Sequence, residues 1–278
     1  MNTVKKLVVP VAGRGTRFLP ITKAISKEML PILNKPLIHY ICEEAVNSGI
    51  KDIIFVINRE KTDILEYFKT NTELEATLES KCQFDLVKEL RASNFNDVNI
   101  YYVEQKEALG LGHAILCAKE FIHDEPFAVS LPDELFLGYP GLKSLLDDYK
   151  SGCFLSLKKV PIHDAYKYGI ISGNQVSENF YEIRELIEKP KDIPPSNIAI
   201  TGRYILCSEI FDELEKMKIG AGGEIQLTDA IRDCMLNQDV KVCGKIVEST
   251  RFDCGNPIGW LEANNFVMEQ NKKEEVKK

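Results

Sequence analysis

Short apolar runs rich in Val and Ile recur along the chain and alternate with longer stretches whose apolar positions repeat every three to four residues. Runs of the first kind suit strands buried on both faces, and stretches of the second kind suit helices with one apolar side. The alternation predicts an α/β fold: a three-layer αβα sandwich around a mostly parallel, Rossmann-like mixed sheet. Strands are expected at 6–12, 52–58, 99–103, 127–131, 153–160, 181–188 and 198–206, and helices at 36–48, 114–120, 141–150, 224–237 and 258–269. Pro36 suits the first turn of its helix and Gly49 its C-terminal cap.

Residues 63–92 depart from the alternation. They are charged and helical, with Glu73-Leu-Glu-Ala-Thr-Leu-Glu79 at their centre, and read as an insertion into a single domain spanning 1–270. Residues 271–278 form an almost wholly charged tail. Internal repeats and Gly/Ser linkers are absent from the sequence.

A chain of 278 residues with 44% apolar content can bury a full core. Its net charge of -7 argues against general affinity for nucleic acid or an anionic membrane, while a local cation cluster could still take a small anion. The eight cysteines contain no C-x-x-C pair and several lie in apolar runs, so they are expected to be reduced and packed. With no cationic leader ahead of an apolar core and no run long enough to span a bilayer, a cytoplasmic location is expected.

The strongest chemical signal is Val11-Ala-Gly-Arg-Gly-Thr-Arg-Phe-Leu-Pro20, a strand that breaks into two glycines and delivers Thr16 and Arg17. Gly13 and Gly15 let backbone N–H groups approach phosphate oxygens, and Arg17 can bind them by paired charge-assisted hydrogen bonds. Two glycines alone would favour an ordinary tight turn after a core strand. The continuation Lys23-Ala-Ile-Ser-Lys-Glu-Met-Leu-Pro31 adds two cations without apolar periodicity, which favours a triphosphate. A dinucleotide loop would need glycine at Phe18, and no Walker pattern is present.

Three apolar runs end in polar groups. Gln105 precedes a second Gly-rich turn into a helix, Leu109-Gly-Leu-Gly-His-Ala-Ile115, whose N-terminus suits a base or an anion. His113 there reads more readily as a helix-start histidine satisfying local backbone than as a catalyst. Asp133 closes Phe127-Ala-Val-Ser-Leu-Pro-Asp133 at a strand's carboxyl end, where ligands of open α/β sheets gather, although a loop or capping aspartate would look the same. Glu134, adjacent, is expected to be solvated. Glu188 and Lys189 end a further run and could be a surface ion pair.

The pattern G-x-G-T-R-F-L-P followed by K-x-x-x-K-E-M-L-P resembles the sugar nucleotidyltransferase family, and the likeness extends to about Phe266. It implies transfer of the uridylyl group of UTP to glucose 1-phosphate, giving UDP-glucose and pyrophosphate, with Mg²⁺ as cofactor. By the same resemblance Ala12, Gly13, Gly15 and Thr16 hold the nucleotide, Arg17 the departing pyrophosphate and Lys27 the reacting phosphates. Glu28 lies near the nucleotide. Gln105 reads the uracil edge, with Gly110 and Gly112 against the base. Gly169 of the Tyr168-Gly169 pair, Glu188, Lys189 and Gly202 serve the sugar phosphate; Glu224 and Asp229 organise the pocket. The match of Arg251-Phe-Asp-Cys-Gly255 implies that Asp253, in a tight turn, joins Asp133 as a metal ligand; sequence distance alone does not bring them together. Cys254 lacks a matched His partner and is read as packing. Arg17, Lys27, Asp133 and Lys189 are thus the expected catalytic set. The family further implies a homodimer or tetramer, with 63–92 as a candidate interface, and no nucleic-acid or membrane partner. Alternatives are dTTP or CTP with glucose 1-phosphate, GTP with mannose 1-phosphate, a regulatory relative without turnover, or a plain Rossmann-type binder.

Overall fold

The computed structural model describes residues 4–217 and 223–275; part of the expected charged tail, 276–278, lies outside the described residues. Nine strands form one sheet: β1 (Lys6–Pro10), β2 (Asp52–Ile57), β3 (Asn99–Glu104), β4 (Phe127–Ser130), β5 (Cys153–Lys159), β6 (Gly169–Gln175), β7 (Phe180–Glu188), β8 (Ile198–Leu206) and β9 (Val242–Ile246). Their order is β3-β2-β1-β4-β8-β5-β9-β7-β6. The helices are α1 (Leu37–Asn47), α2 (Thr62–Tyr67), α3 (Thr72–Ser80), α4 (Phe84–Ala92), α5 (Gly110–Cys117), α6 (Lys119–Ile122), α7 (Gly141–Asp148), α8 (Ile210–Lys216), α9 (Leu227–Asn237) and α10 (Pro257–Glu275).

Strand periodicity explains the three layers. In β1, Leu7 and Val9 join Ile53 and Phe55 of β2 in a core beneath α1 and α7. Val8 points the other way and joins Ile54, Val56, Ala114, Phe211 and Ile231 beneath α5, α8 and α9. Successive side chains leave opposite faces, so a sheet with two cores needs consecutive apolar residues, as the sequence shows. Gly49 takes a left-handed φ of 81° just past α1, the conformation expected of its cap.

The strands β1 to β4 are mutually parallel wherever they pair, so their carboxyl ends share one edge. The other half is mixed. There β8 runs antiparallel to β4 and β5, β9 runs parallel to β5, and β7 runs antiparallel to both β9 and β6. An added antiparallel pairing of β6 with β8 closes β8-β5-β9-β7-β6 into a circuit, which carries Gly169 and Glu188 back toward the edge where β4 ends.

The expected helix at 224–237 begins only at Leu227, leaving Glu224 in the preceding segment. The stretch expected as an insertion holds the short helices α2, α3 and α4. Neither β9 nor α8 was expected, and β9 is short, with Gly244 and Lys245 diluting its apolar signal. The cysteines are free, and most are buried or partly so, but Cys82 is exposed and corrects the expectation of packing for that residue. Among the described residues no helix is long and apolar enough to cross a membrane.

Candidate active site

The loop after β1 is pinned from below. Gly15 sits at a φ of 64°, a left-handed conformation that only glycine takes at little cost, and opens a short 3-10 turn, Thr16–Phe18. Phe18 is buried beside Leu30, Ile32 and Leu37 and meets Trp260 edge to face, so Thr16 and Arg17 are left exposed. A Cβ on Gly15 would stand 3.1 Å from Lys27 Cβ, which couples this turn to the next.

Lys27 opens a second 3-10 turn, Lys27–Met29, and its ammonium bonds Asp133 Oδ2 at 2.7 Å. Burial opposes the charge of both partners, yet the pairing wins: the Lys27 pKa is raised, chiefly by Asp133 and Glu28, and that of Asp133 is lowered by Lys27. Glu28 turns inward to Lys61 at 2.5 Å, and burial pushes the Glu28 carboxyl up and the Lys61 ammonium down. Asp63 accepts from both the N–H and the hydroxyl of Ser26, each at 2.6 Å. Lys61 and Asp63 therefore hold the Lys27 turn in place. In the sequence Asp63 falls in the stretch expected as an insertion and Lys61 carries no motif; the signal they offer is a polar pair just beyond the carboxyl end of β2.

Asp133 and Asp253 meet. Residues Glu134–Leu137 pair antiparallel with Thr250–Asp253, setting Asp253 opposite Glu134, and the Cys254 N–H donates to the Asp133 carbonyl at 2.7 Å. Asp253 ends a strand rather than lying within a tight turn; the turn follows, with the Gly255 N–H donating to Asp253 Oδ1 at 3.0 Å. A Cβ built on Gly255 would lie 2.8 Å from Asp133 Oδ2, 3.0 Å from Asp253 Oδ1 and 3.3 Å from Arg17 Nη1. Gly255 thus leaves a small cradle ringed by two carboxylates and a guanidinium. Among the described residues no cluster of three or more His, Cys, Asp or Glu could hold a metal ion. Mg²⁺ does not need one: it keeps waters and is commonly held by one or two carboxylates plus substrate phosphates, so the pair fits it.

Glu134 is not solvated as expected. Its side chain is 13% exposed and pairs with Arg251, while burial pushes its carboxyl up to about 7. Cys254 is buried and its thiol is pushed well above the usual range, which suits packing and not attack.

Arg203 is fully buried and fixes this loop from behind. Its guanidinium donates to Glu44 Oε2 at 2.7 and 3.0 Å, to the Leu131 carbonyl at 3.1 Å and to the Glu134 carbonyl at 2.7 Å. Gly202, at a φ of 73°, leaves room for the same loop, since a Cβ there would strike Glu134 Cγ at 2.7 Å.

On the other side, Gly169 packs against Glu188, whose Oε2 accepts from Thr228 at 2.8 Å and whose Oε1 lies 3.2 Å from Lys189 Nζ. Lys189 takes a left-handed φ of 43°, and its side chain is largely exposed. Lys158 Nζ stands 4.7 Å from the centre of the Tyr168 ring, and burial lowers its pKa.

Two clefts flank Lys27. One, of about 380 Å³, is lined by Ala12, Gly13, Gln105, Gly110, Asp133 and Glu224 among others. The second, of about 430 Å³, is lined by Arg14, Thr16, Lys23, Ser26 and Lys61. Lys27 and Arg14 border both. Gln105 Nε2 lies 3.1 Å from the Gly110 carbonyl and 3.0 Å from His113 Nδ1, so His113 meets a side chain and not the local backbone. Gly112 is turned from the cleft: it donates to the Ile225 carbonyl at 2.8 Å and packs on Ile225 and Leu214. Asp229 pairs with Arg232 on its own helix.

The sequence profile of the nucleotidyl transferase family matches residues 6–270, and the chain belongs to that family. Within it, the chain is 45% identical over 278 residues to the UTP--glucose-1-phosphate uridylyltransferase of Bacillus subtilis strain 168, covering 98% of this chain and 94% of that protein. The structure of a UTP-bound UGPase from Acinetobacter baumannii superposes with a TM-score of 0.87 at 39% identity, covering 95% of this chain and 93% of that one. A UDP-glucose pyrophosphorylase complexed with UDP-glucose superposes with a TM-score of 0.83 at 38% identity, covering 96% and 99%.

Proposed function

We propose that the chain transfers the uridylyl group of UTP to glucose 1-phosphate, releasing UDP-glucose and pyrophosphate. The observation that carries this reading is the convergence of Asp133, Asp253 and Arg17 over Gly255, beside Lys27 and at the cleft that Gln105 lines. The relatives of known pairing support the choice of UTP and glucose 1-phosphate.

An oxygen of the sugar phosphate attacks the α-phosphorus of UTP. The bond from that phosphorus to the bridging oxygen breaks, and pyrophosphate leaves with the electron pair. No covalent enzyme intermediate is needed, so catalysis is positioning together with neutralisation of developing charge. The backbone from Ala12 to Thr16 cradles the triphosphate. Lys27, held by Asp133 before substrate binds and bordering both clefts, turns to the α-phosphate, and Arg17 steadies the leaving pyrophosphate. Lys189 takes the sugar phosphate, while Glu188, oriented by Thr228, accepts from sugar hydroxyls beside Gly169. Asp133 and Asp253 would hold Mg²⁺, which when bound supplies neutralising charge between the two anions.

The test is pyrophosphate release with Mg²⁺ across UTP, dTTP, CTP, GTP and ATP against glucose, galactose, mannose and N-acetylglucosamine 1-phosphates. Preference for UTP with glucose 1-phosphate is expected. Preference for another pair would overturn the base or sugar contacts, and no release from folded protein would leave a binding-only relative.

A further inference from the structure

Gln105 is 7% exposed, and its side chain ends between two fixed partners. Its terminal nitrogen is placed 3.1 Å from the Gly110 carbonyl and 3.0 Å from His113 Nδ1. A carbonyl oxygen can only accept a hydrogen bond, so the end of the amide that faces Gly110 must be the NH₂ group. That assignment comes from the neighbour's chemistry and holds without any ligand.

An amide NH₂ has two hydrogens, and the second points to His113. Cys117 Sγ, one turn along α5, stands 4.0 Å from the same ring nitrogen. An amide nitrogen can only donate, so Nδ1 accepts, which leaves the ring's proton on Nε2; the Cys117 thiol is free to donate to the same nitrogen. Both amide hydrogens of Gln105 are then spent inside the protein. Only its oxygen is left for a ligand in the cleft.

We propose that His113 is a specificity-determining residue that acts through Gln105, holding its amide as an acceptor-only reader of the base. This rests on the reading of the cleft as the UTP site. Uracil presents an N–H at N3 and can donate to Gln105 Oε1. Cytosine presents a lone pair there, and two acceptors facing each other without a proton leave both unsatisfied. Thymine shares the edge of uracil, so His113 selects against cytosine and does not separate UTP from dTTP.

Replacing His113 by Phe keeps the ring's bulk but removes the acceptor, which frees one Gln105 N–H to turn toward the cleft. The ratio of kcat/KM for UTP to that for CTP falls by about 3- to 10-fold, the worth of one ordinary hydrogen bond, and the change lies in KM rather than kcat. His113→Asn, which restores an acceptor from the same backbone position, recovers part of the ratio. A ratio equal to wild type in His113→Phe, or an equal loss for both nucleotides, would overturn the proposal and leave His113 a packing residue. Nitrogen-15 spectra of histidine-labelled enzyme, assigned with the same variant, give a second reading that does not depend on turnover. A proton on Nε2 of His113 is expected, and a proton on Nδ1 would overturn the proposal whatever the kinetics. If wild-type enzyme uses no UTP, the functional reading fails instead, and the two failures are told apart.

Discussion

Replacing Arg203 by Met would expose how the metal-side loop is held. Arg203 is buried completely, Glu44 has a side-chain exposure of 6%, and their ion pair is joined by bonds from the same guanidinium to the Leu131 and Glu134 carbonyls that bracket Asp133. Removing one partner of a buried pair strands the other, at about 3–5 kcal/mol. In a protein of this size each kcal/mol lowers Tm by about 2–4 °C, so a fall of about 6–20 °C is expected. Among the described residues Glu44 then keeps the Leu142 N–H at 2.7 Å to offset its charge. In the double variant Arg203→Met with Glu44→Leu no charge is stranded, and part of the lost Tm returns. The Leu131 and Glu134 carbonyls stay unheld in both variants, so the Mg²⁺ concentration needed for half-maximal turnover rises in both. Melting by dye fluorescence and a Mg²⁺ titration of turnover separate these two effects. A Tm within about 2 °C of wild type for the single variant, or a Mg²⁺ requirement that recovers along with stability in the double variant, would refute the reasoning.

Lys189→Ala should raise KM for glucose 1-phosphate by about 10- to 100-fold, the worth of one charge-assisted hydrogen bond, and leave Tm nearly unchanged, because the Lys189 side chain is largely exposed and Glu188 keeps its bond from Thr228. Gly255→Ala should cut turnover by about 10²-fold through displacement of Asp133 and Asp253, with a change in Tm below about 4 °C; equal turnover would mean the cradle is not used. Lys27→Met, melted without metal or substrate, tests the Lys27–Asp133 pair by pH. The lowered carboxyl pKa gives stability present above the ordinary 3.8 and lost as pH falls through the folded value. The raised ammonium pKa gives stability present below the ordinary 10.5 and lost as pH climbs through the folded value. The Tm gap between wild type and variant should therefore be widest at neutral pH and close toward both extremes; a gap independent of pH would contradict the pairing.

Much of the fold was legible because burial on both faces writes itself as continuous apolar runs. The expected strand at 198–206 coincides with β8, all nine of whose residues are buried. The Gly15 turn was legible for a related reason, since a strand that ends in two glycines leaves few alternatives. What the residues alone could not carry was any contact made across the chain. Asp133 and Asp253 come together through a short two-stranded ribbon whose pairing has no sequence period, so their meeting could be inferred only from family resemblance. Glu134 looked solvated because its partner, Arg251, lies 117 residues away. Gly112 and Gly202 are expected at the base and at the sugar phosphate, and the atoms that leave no room for a side chain there include Ile225, Leu214 and Glu134. Glycine marks a close approach but does not say to what.

The most direct test of the central claim is UDP-glucose formation from UTP and glucose 1-phosphate, followed against Mg²⁺ concentration for wild type, Asp133→Asn and Asp253→Asn. With both carboxylates holding the cation, each variant should lose about 10²- to 10³-fold in turnover at saturating substrate while remaining folded. Wild-type turnover in either variant would contradict the account, because it would take that carboxylate out of the site.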